Sequence, residues 1–180
     1  MDWVKIYSFD TQYQAELTKG LLEQNDVKYA VISLGGNIRT VGEKPNNEKF
    51  TVGIEYPDTR DIFATILCDD TNIITSGAYQ RNFIGDDGNL YHHIIDPKTA
   101  KPAASDLKSV TVISKDGTLA DCYSTAIFVM GFEKGAEFAE NNNLNVILLT
   151  QDNELYISEE IADVMEIAGK YNAIKLNIIK

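Results

Sequence analysis

The sequence predicts an α+β fold, a mostly antiparallel sheet with packed helices in a single domain. Three observations carry that prediction. Short runs rich in Val, Ile, Thr, Tyr and Phe recur along the chain, most of them bounded by Gly, Pro, Asn or Asp. Apolar residues at helical spacing are confined to a few segments, two of them adjacent and followed by more strands. No internal repeat, low-complexity tract or linker divides the 180 residues, a length suited to one domain with a proper core.

The elements follow in order. "DWVKIYSF" alternates and reads as a strand, and "TQYQAELTKGLLEQND" as a helix with Thr11 as N-cap and Ala15, Leu17, Leu21 and Leu22 as its apolar positions. "KYAVISL" is a short apolar run, expected to be a buried strand entering a tight loop at Gly35-Gly36. "KFTVGIEYP" alternates and stops at Pro57, and "DIFATILCDDTNIITSG" reads as two strands around a turn at 69–72. "AYQRNFIGDDGNLYHHIID" is a hairpin whose turn, Gly85-Asp86-Asp87-Gly88, is a strong local signal. "SVTVIS" is a strand closed by "KDGT". "ADCYSTAIFVMGFEKGAEFAENNN" reads as two helical segments broken near Gly131, "NVILLTQ" and "ELYIS" as a hairpin, "EEIADVMEIAGKY" as a helix and "AIKLNII" as a last strand.

Composition limits the function classes. A net charge of −11 argues against non-specific affinity for nucleic acid or anionic membranes. No run approaches the ~20 apolar residues of a membrane span. Cys68 and Cys122 lack the spacing of a disulfide framework or thiolate metal site, and both read as buried small hydrophobes. The opening "MDWVKIYSFD" has no basic region, apolar core or cleavage site of an export signal, so the chain as given reads as cytoplasmic.

Four stretches could carry chemistry. In "SLGGNIRTVG", Gly35 and Gly36 would let backbone amides approach a ligand, Asn37 adds an amide and Arg39 a fixed charge; a plain structural turn is the alternative. In "ITSGAYQRNF", Ser76 and Gly77 offer a hydroxyl and an exposed amide, with a simple turn again the alternative. "NLYHHIIDPKTAKPA" holds both histidines of the chain. Strand alternation puts His92 and His93 on opposite faces, which argues against a two-histidine metal site, and Asp96 is biased to extended backbone by Pro97. In "ADCYSTAIF", Asp121 and Thr125 are four apart, so their oxygens share one helix face and could hold Mg²⁺ with ligand phosphates or another loop completing the shell; Asp121 could instead simply favour a helix N-terminus.

Taken in order, "LGGNIRTVGEKP", "ITSGAYQRNF", "YHHIIDPKTAKPA" and "SVTVISKDGTLADCYSTAIFVMG" resemble the successive signature blocks of the FAD:protein FMN transferase (ApbE-like) family. The resemblance spans residues 21–180, with 1–20 a divergent segment of the same single domain. It implies Mg²⁺-dependent transfer of FMN from FAD, split at its pyrophosphate, to a threonine of an acceptor flavoprotein. By motif match, Asp121 and Thr125 become metal ligands. His93 and Asp96 belong to the pyrophosphate site, with His93 near the transferred phosphate and His92 facing away. Gly35, Gly36, Asn37, Ser76 and Gly77 line the flavin.

The sequence departs from the family pattern at Ala100, where a glycine is usual, and at Ala78, where a polar residue is common. Family members are also near twice this length, their first half supplying adenine contacts and a further metal ligand, and they usually work outside the cytoplasm. Two rival expectations follow: a catalytically degenerate flavin-binding module, or an interaction protein that completes its site with a partner chain or by homo-oligomerisation.

Overall fold

The computed structural model describes residues 17–179 apart from 19 and 23. The predicted first strand and the Thr11 cap lie outside the described residues. The helical stretch at 17–24 packs through Leu22 onto Ile32 and Val41, while Leu17 and Leu21 are exposed.

The strands are β1 (Tyr29–Leu34), β2 (Asn37–Gly42), β3 (Phe50–Glu55), β4 (Ile62–Cys68), β5 (Asn72–Gly77), β6 (Asn82–Ile84), β7 (Leu90–His92), β8 (Ile95–Asp96), β9 (Lys101–Pro102) and β10 (Leu107–Ser114). Helices α1 (Gly117–Met130) and α2 (Phe132–Asn141) follow, then β11 (Asn145–Thr150), β12 (Glu154–Ser158), a single turn α3 (Glu159–Ala162), β13 (Met165–Ile167) and β14 (Lys175–Ile179). This is the expected α+β class, and among the described residues every paired strand is antiparallel except β14 beside β12.

The main sheet runs β1-β2-β5-β10-β11-β12-β14, and a smaller one runs β13-β4-β3. Helices α1 and α2 cover one face of the main sheet and the small sheet covers the other. The alternation of β11 displays this division: Val146 and Leu148 join the cluster under the helices, whereas Ile147 and Leu149 join the cluster against β3 and β4. A strand buried on both faces reads as an unbroken apolar run, which is why "NVILLT" does not alternate. β3 buries one face only and shows strict alternation.

Three expectations need correction. Among the described residues β1 is an edge strand, flanked by β2 alone and with Val31 41% exposed, where a buried strand was expected. The segments around 69–72 are both strands but do not pair with each other: β4 joins the small sheet and β5 the main one, so the turn crosses between layers. The predicted helix over "EEIADVMEIAGKY" is only the one turn α3; Met165–Ile167 pairs with β4 instead, because Met165 and Ile167 pack on the small-sheet core. Tertiary pairing overrides helical spacing there.

Candidate functional site

Helix α1 starts at Gly117, within the "KDGT" stretch. Asp116 is its N-cap, accepting from Leu119 N at 3.0 Å. The capping role therefore belongs to Asp116, and Asp121 sits in the second turn without one. Asp121 and Thr125 lie one turn apart and both line a cavity of about 780 Å³. Asp96 lines the same cavity, so three of the sequence-predicted residues converge there. The wall beside them is apolar, built from Ile95, Ala126, Val129 and Met130, with Lys98 and Lys134 also on the lining.

Two strands of the main sheet reach the helix. Asn37, first residue of β2, donates from Nδ2 to Asp121 Oδ1 at 3.2 Å, and its Oδ1 accepts from Thr75 N at 3.2 Å. Ser76 of β5 sets its hydroxyl 2.9 Å from Ser124 Oγ and 3.1 Å from Thr125 Oγ1. Ser124 is fully buried, and its hydroxyl and that of Thr125 each lie 3.1 Å from the Asp121 carbonyl oxygen.

The glycines have local explanations. Gly35 and Gly36 form the two-residue β1–β2 loop with φ of 63° and 124°, backbone that side-chain-bearing residues rarely adopt. Gly36 lines a second, smaller recess of about 150 Å³ with Tyr79 and Gln80, on the small-sheet side. At Gly77 a Cβ would lie 2.5 Å from Tyr79 Cε1 and 2.9 Å from the Lys108 carbonyl oxygen, so close packing already occupies the space beside it. Burial pushes the Tyr79 phenol up.

The histidines separate as alternation predicts. His92 turns inward, its Nε2 donating to the Ala103 carbonyl at 3.2 Å and its Nδ1 accepting from Ile94 N at 3.3 Å, with its ring edge-on to Phe128 of α1. His93 is exposed, its Nδ1 and backbone N both 3.3 Å from the Arg81 carbonyl, and it is not among the residues lining the cavity. Asp96 organises its own turn, accepting from Lys98 N at 2.9 Å and Thr99 Oγ1 at 3.2 Å. Ala100, at the end of that turn, has φ of 54°.

Two further readings are corrected. Arg39 is 2% exposed and pairs with Asp70 at 2.8 Å, so it offers no charge to a ligand at the glycine loop. Cys68 is buried, which pushes its thiol up, but Cys122 is exposed and lines the cavity beside Asp121. A cysteine one residue from Asp121 on an otherwise half-exposed helix face carried no sequence signal of this position. The same holds for Lys134, brought to the cavity by the sharp α1–α2 junction at Gly131.

Chemically, Asp121 and Thr125 present only oxygen donors, a hard set suited to a cation that prefers oxygen. Among the described residues no group of three or more His, Cys, Asp or Glu lies close enough together to hold a metal ion by itself, so a cation here would complete its shell from water or ligand oxygens. Among the described residues no helix is long and apolar enough to cross a membrane.

Comparison with known proteins bears on this arrangement. A profile described as the ApbE family matches residues 9–148. The FAD:protein FMN transferase of Klebsiella pneumoniae (strain 342) is 34% identical over 149 residues, covering 81% of this chain and 45% of that protein. The FAD:protein FMN transferase of Escherichia coli (strain K12) is 30% identical over 156 residues, 86% of this chain and 44% of that one. Among solved structures, the ApbE protein from Thermotoga maritima superposes with a TM-score of 0.77 at 30% identity, covering 84% of this chain and 50% of that one. The flavin transferase ApbE from Vibrio cholerae gives a TM-score of 0.72 at 30% identity, covering 84% and 49%. The chain spans about half the length of the curated relatives it matches. With the profile matched over most of the sequence and the fold shared with these structures, the chain belongs to the ApbE family.

Proposed function

We propose that this chain carries the metal and phosphate side of a flavin transferase, in which FMN passes from FAD to a threonine of an acceptor flavoprotein with Mg²⁺ present. One observation carries the reading: Asp121 and Thr125 face a common cavity with Asp96, on a helix whose cap is supplied by another residue. The names of the relatives, all enzymes of FAD:protein FMN transfer, support the reaction class.

The donor set fits Mg²⁺, which keeps several waters or phosphate oxygens beside one or two carboxylates. When bound, the ion supplies charge neutralisation at the pyrophosphate. The residues of the chain then have separate tasks. Asp121 offers its carboxylate, kept in orientation by Asn37. Thr125 offers a hydroxyl lone pair while its proton stays within the chain, with the Ser76 hydroxyl and the Asp121 carbonyl both 3.1 Å away. Lys98 and Lys134 bring positive charge to the cavity of an otherwise acidic chain, complementary to phosphate. The apolar wall of Ile95, Val129 and Met130 limits water on one side.

A second reading is favoured by the coverage. The residues matched here span about half of the relatives, and in this reading they bind flavin only together with further polypeptide, such as a partner chain or a second copy. Titration of FAD into the protein with and without Mg²⁺, followed by flavin fluorescence, separates the two. Saturable Mg²⁺-dependent binding that vanishes in Asp121→Ala supports the transferase reading, and assays with a threonine-bearing acceptor follow from it. No binding at millimolar FAD overturns it for the isolated chain and favours the second.

A further inference from the structure

We infer that Ser76 is a positioning residue that aims the lone pairs of Thr125 into the cavity, rather than a direct contact to the flavin. The inference rests on the reading of Asp121 and Thr125 as a cation site.

Ser76 is 9% exposed, and its hydroxyl meets two others, Ser124 Oγ at 2.9 Å and Thr125 Oγ1 at 3.1 Å. It is not among the residues lining the cavity, whereas Thr125 is. Its hydroxyl is thus turned under the helix, with its hydrogen-bonding capacity engaged there.

Counting protons shows what the cluster does. Three hydroxyls bring three protons to four short contacts: the two between Ser76 and the helix hydroxyls, and the two from Ser124 and Thr125 to the Asp121 carbonyl. A threonine that ligates a cation gives it a lone pair and must send its proton elsewhere. The chain Thr125 to Ser76, Ser76 to Ser124 and Ser124 to the Asp121 carbonyl uses each proton once, with Ser76 and Ser124 each both donor and acceptor. Hydrogen bonds in such a chain strengthen one another. A lone pair of Thr125 is then free to face the cavity that its side chain lines. Without Ser76, the proton of Thr125 can only share the Asp121 carbonyl with Ser124, and the hydroxyl loses its anchor on the sheet.

The site therefore has two supports from the sheet, Asn37 for the carboxylate and Ser76 for the hydroxyl. Groups behind metal ligands of this kind typically govern metal affinity by 10–100-fold.

The test uses Mn²⁺ as a probe of the oxygen site, with affinity measured on the 180-residue chain by calorimetry and Mn²⁺ electron paramagnetic resonance. Ser76→Ala is expected to weaken Mn²⁺ binding by about tenfold. Its melting temperature should stay within about 3 °C, since Ser124 keeps the Asp121 carbonyl as acceptor. In a Thr125→Ala background the same substitution should do nothing more, because its effect runs through Thr125. Ser124→Ala breaks the chain from its buried side and should weaken binding in the same direction. Unchanged affinity in Ser76→Ala, or an equal loss with and without Thr125, overturns the proposal. If the unaltered chain takes up no Mn²⁺ at all, the cation reading itself fails and this proposal falls with it. That outcome is distinct from an unaltered chain that binds while Ser76→Ala binds equally well.

Discussion

Asn37 of β2 and Asp121 of α1, 84 positions apart in the chain, meet through an Nδ2 to Oδ1 hydrogen bond of 3.2 Å. The other end of the same amide accepts from Thr75 N at 3.2 Å. A backbone N–H can only donate, so the amide oxygen must face Thr75 and the NH₂ must face the carboxylate. The β2–β5 ladder covers only Ile38 with Ile73 and Arg39 with Asn72, and the Asn37 side chain satisfies the next N–H along β5.

Removing that side chain should therefore be felt in two ways. Asn37→Ala leaves the Thr75 N–H without its acceptor and is expected to cost about 1–3 kcal/mol in urea unfolding. The same variant should weaken Mg²⁺-dependent FAD binding, since nothing then holds the Asp121 carboxylate. Stability equal to that of the unaltered protein would mean the bridge contributes nothing to the fold.

The turn that follows Asp96 holds an alanine in left-handed backbone. Ala100 has φ of 54° and donates its N–H to the Asp96 carbonyl at 2.9 Å. That conformation costs a residue with a Cβ about 1–2 kcal/mol, and glycine nothing. Part of the gain from glycine is returned as extra freedom of the unfolded chain, about 0.4–1 kcal/mol. Ala100→Gly should thus stabilise the protein by roughly 0.5 kcal/mol, a rise of one or two degrees in melting temperature for a chain this long. A fall in melting temperature by calorimetry would contradict the strain argument.

The β12–β14 edge carries a pH-dependent support. Lys175 Nζ donates to Glu154 Oε1 at 2.8 Å, and Tyr156 Oη donates to its Oε2 at 2.6 Å. These hydrogen bonds, that from Lys175 first, hold the Glu154 carboxyl below its ordinary value of 4.5. A carboxylate depressed by folding stabilises the native state above its unfolded pKa, and that contribution is lost as pH falls through the folded one. Glu154→Gln is therefore expected to be less stable than the unaltered protein at pH 7. The two should converge once the pH is well below 4.5, where the carboxyl is protonated in both states. A gap independent of pH, read from urea midpoints across the range, would assign the loss to packing instead.

Much of the architecture is written locally. Alternation in "FTVGIE", the Gly-Gly loop, the "GDDG" turn and the break at Gly131 each rest on the backbone preferences of a few neighbouring residues, and each appears where expected. The helical spacing of Asp121 and Thr125 is of the same kind, because four residues complete about one turn. What depends on distant partners was not legible. Nothing near residues 165–167 announces a strand, since the partner that makes it one, β4, lies a hundred positions earlier in sequence. Arg39 and Ser76 look alike as polar residues within a few positions of a glycine. Only the packing of layers buries one against Asp70 and turns the other under α1, where it meets Thr125. Local sequence thus sets which residues can take a given backbone shape. Which side chains meet is decided by how the sheet and helix bury their apolar faces, a choice made by the whole chain at once.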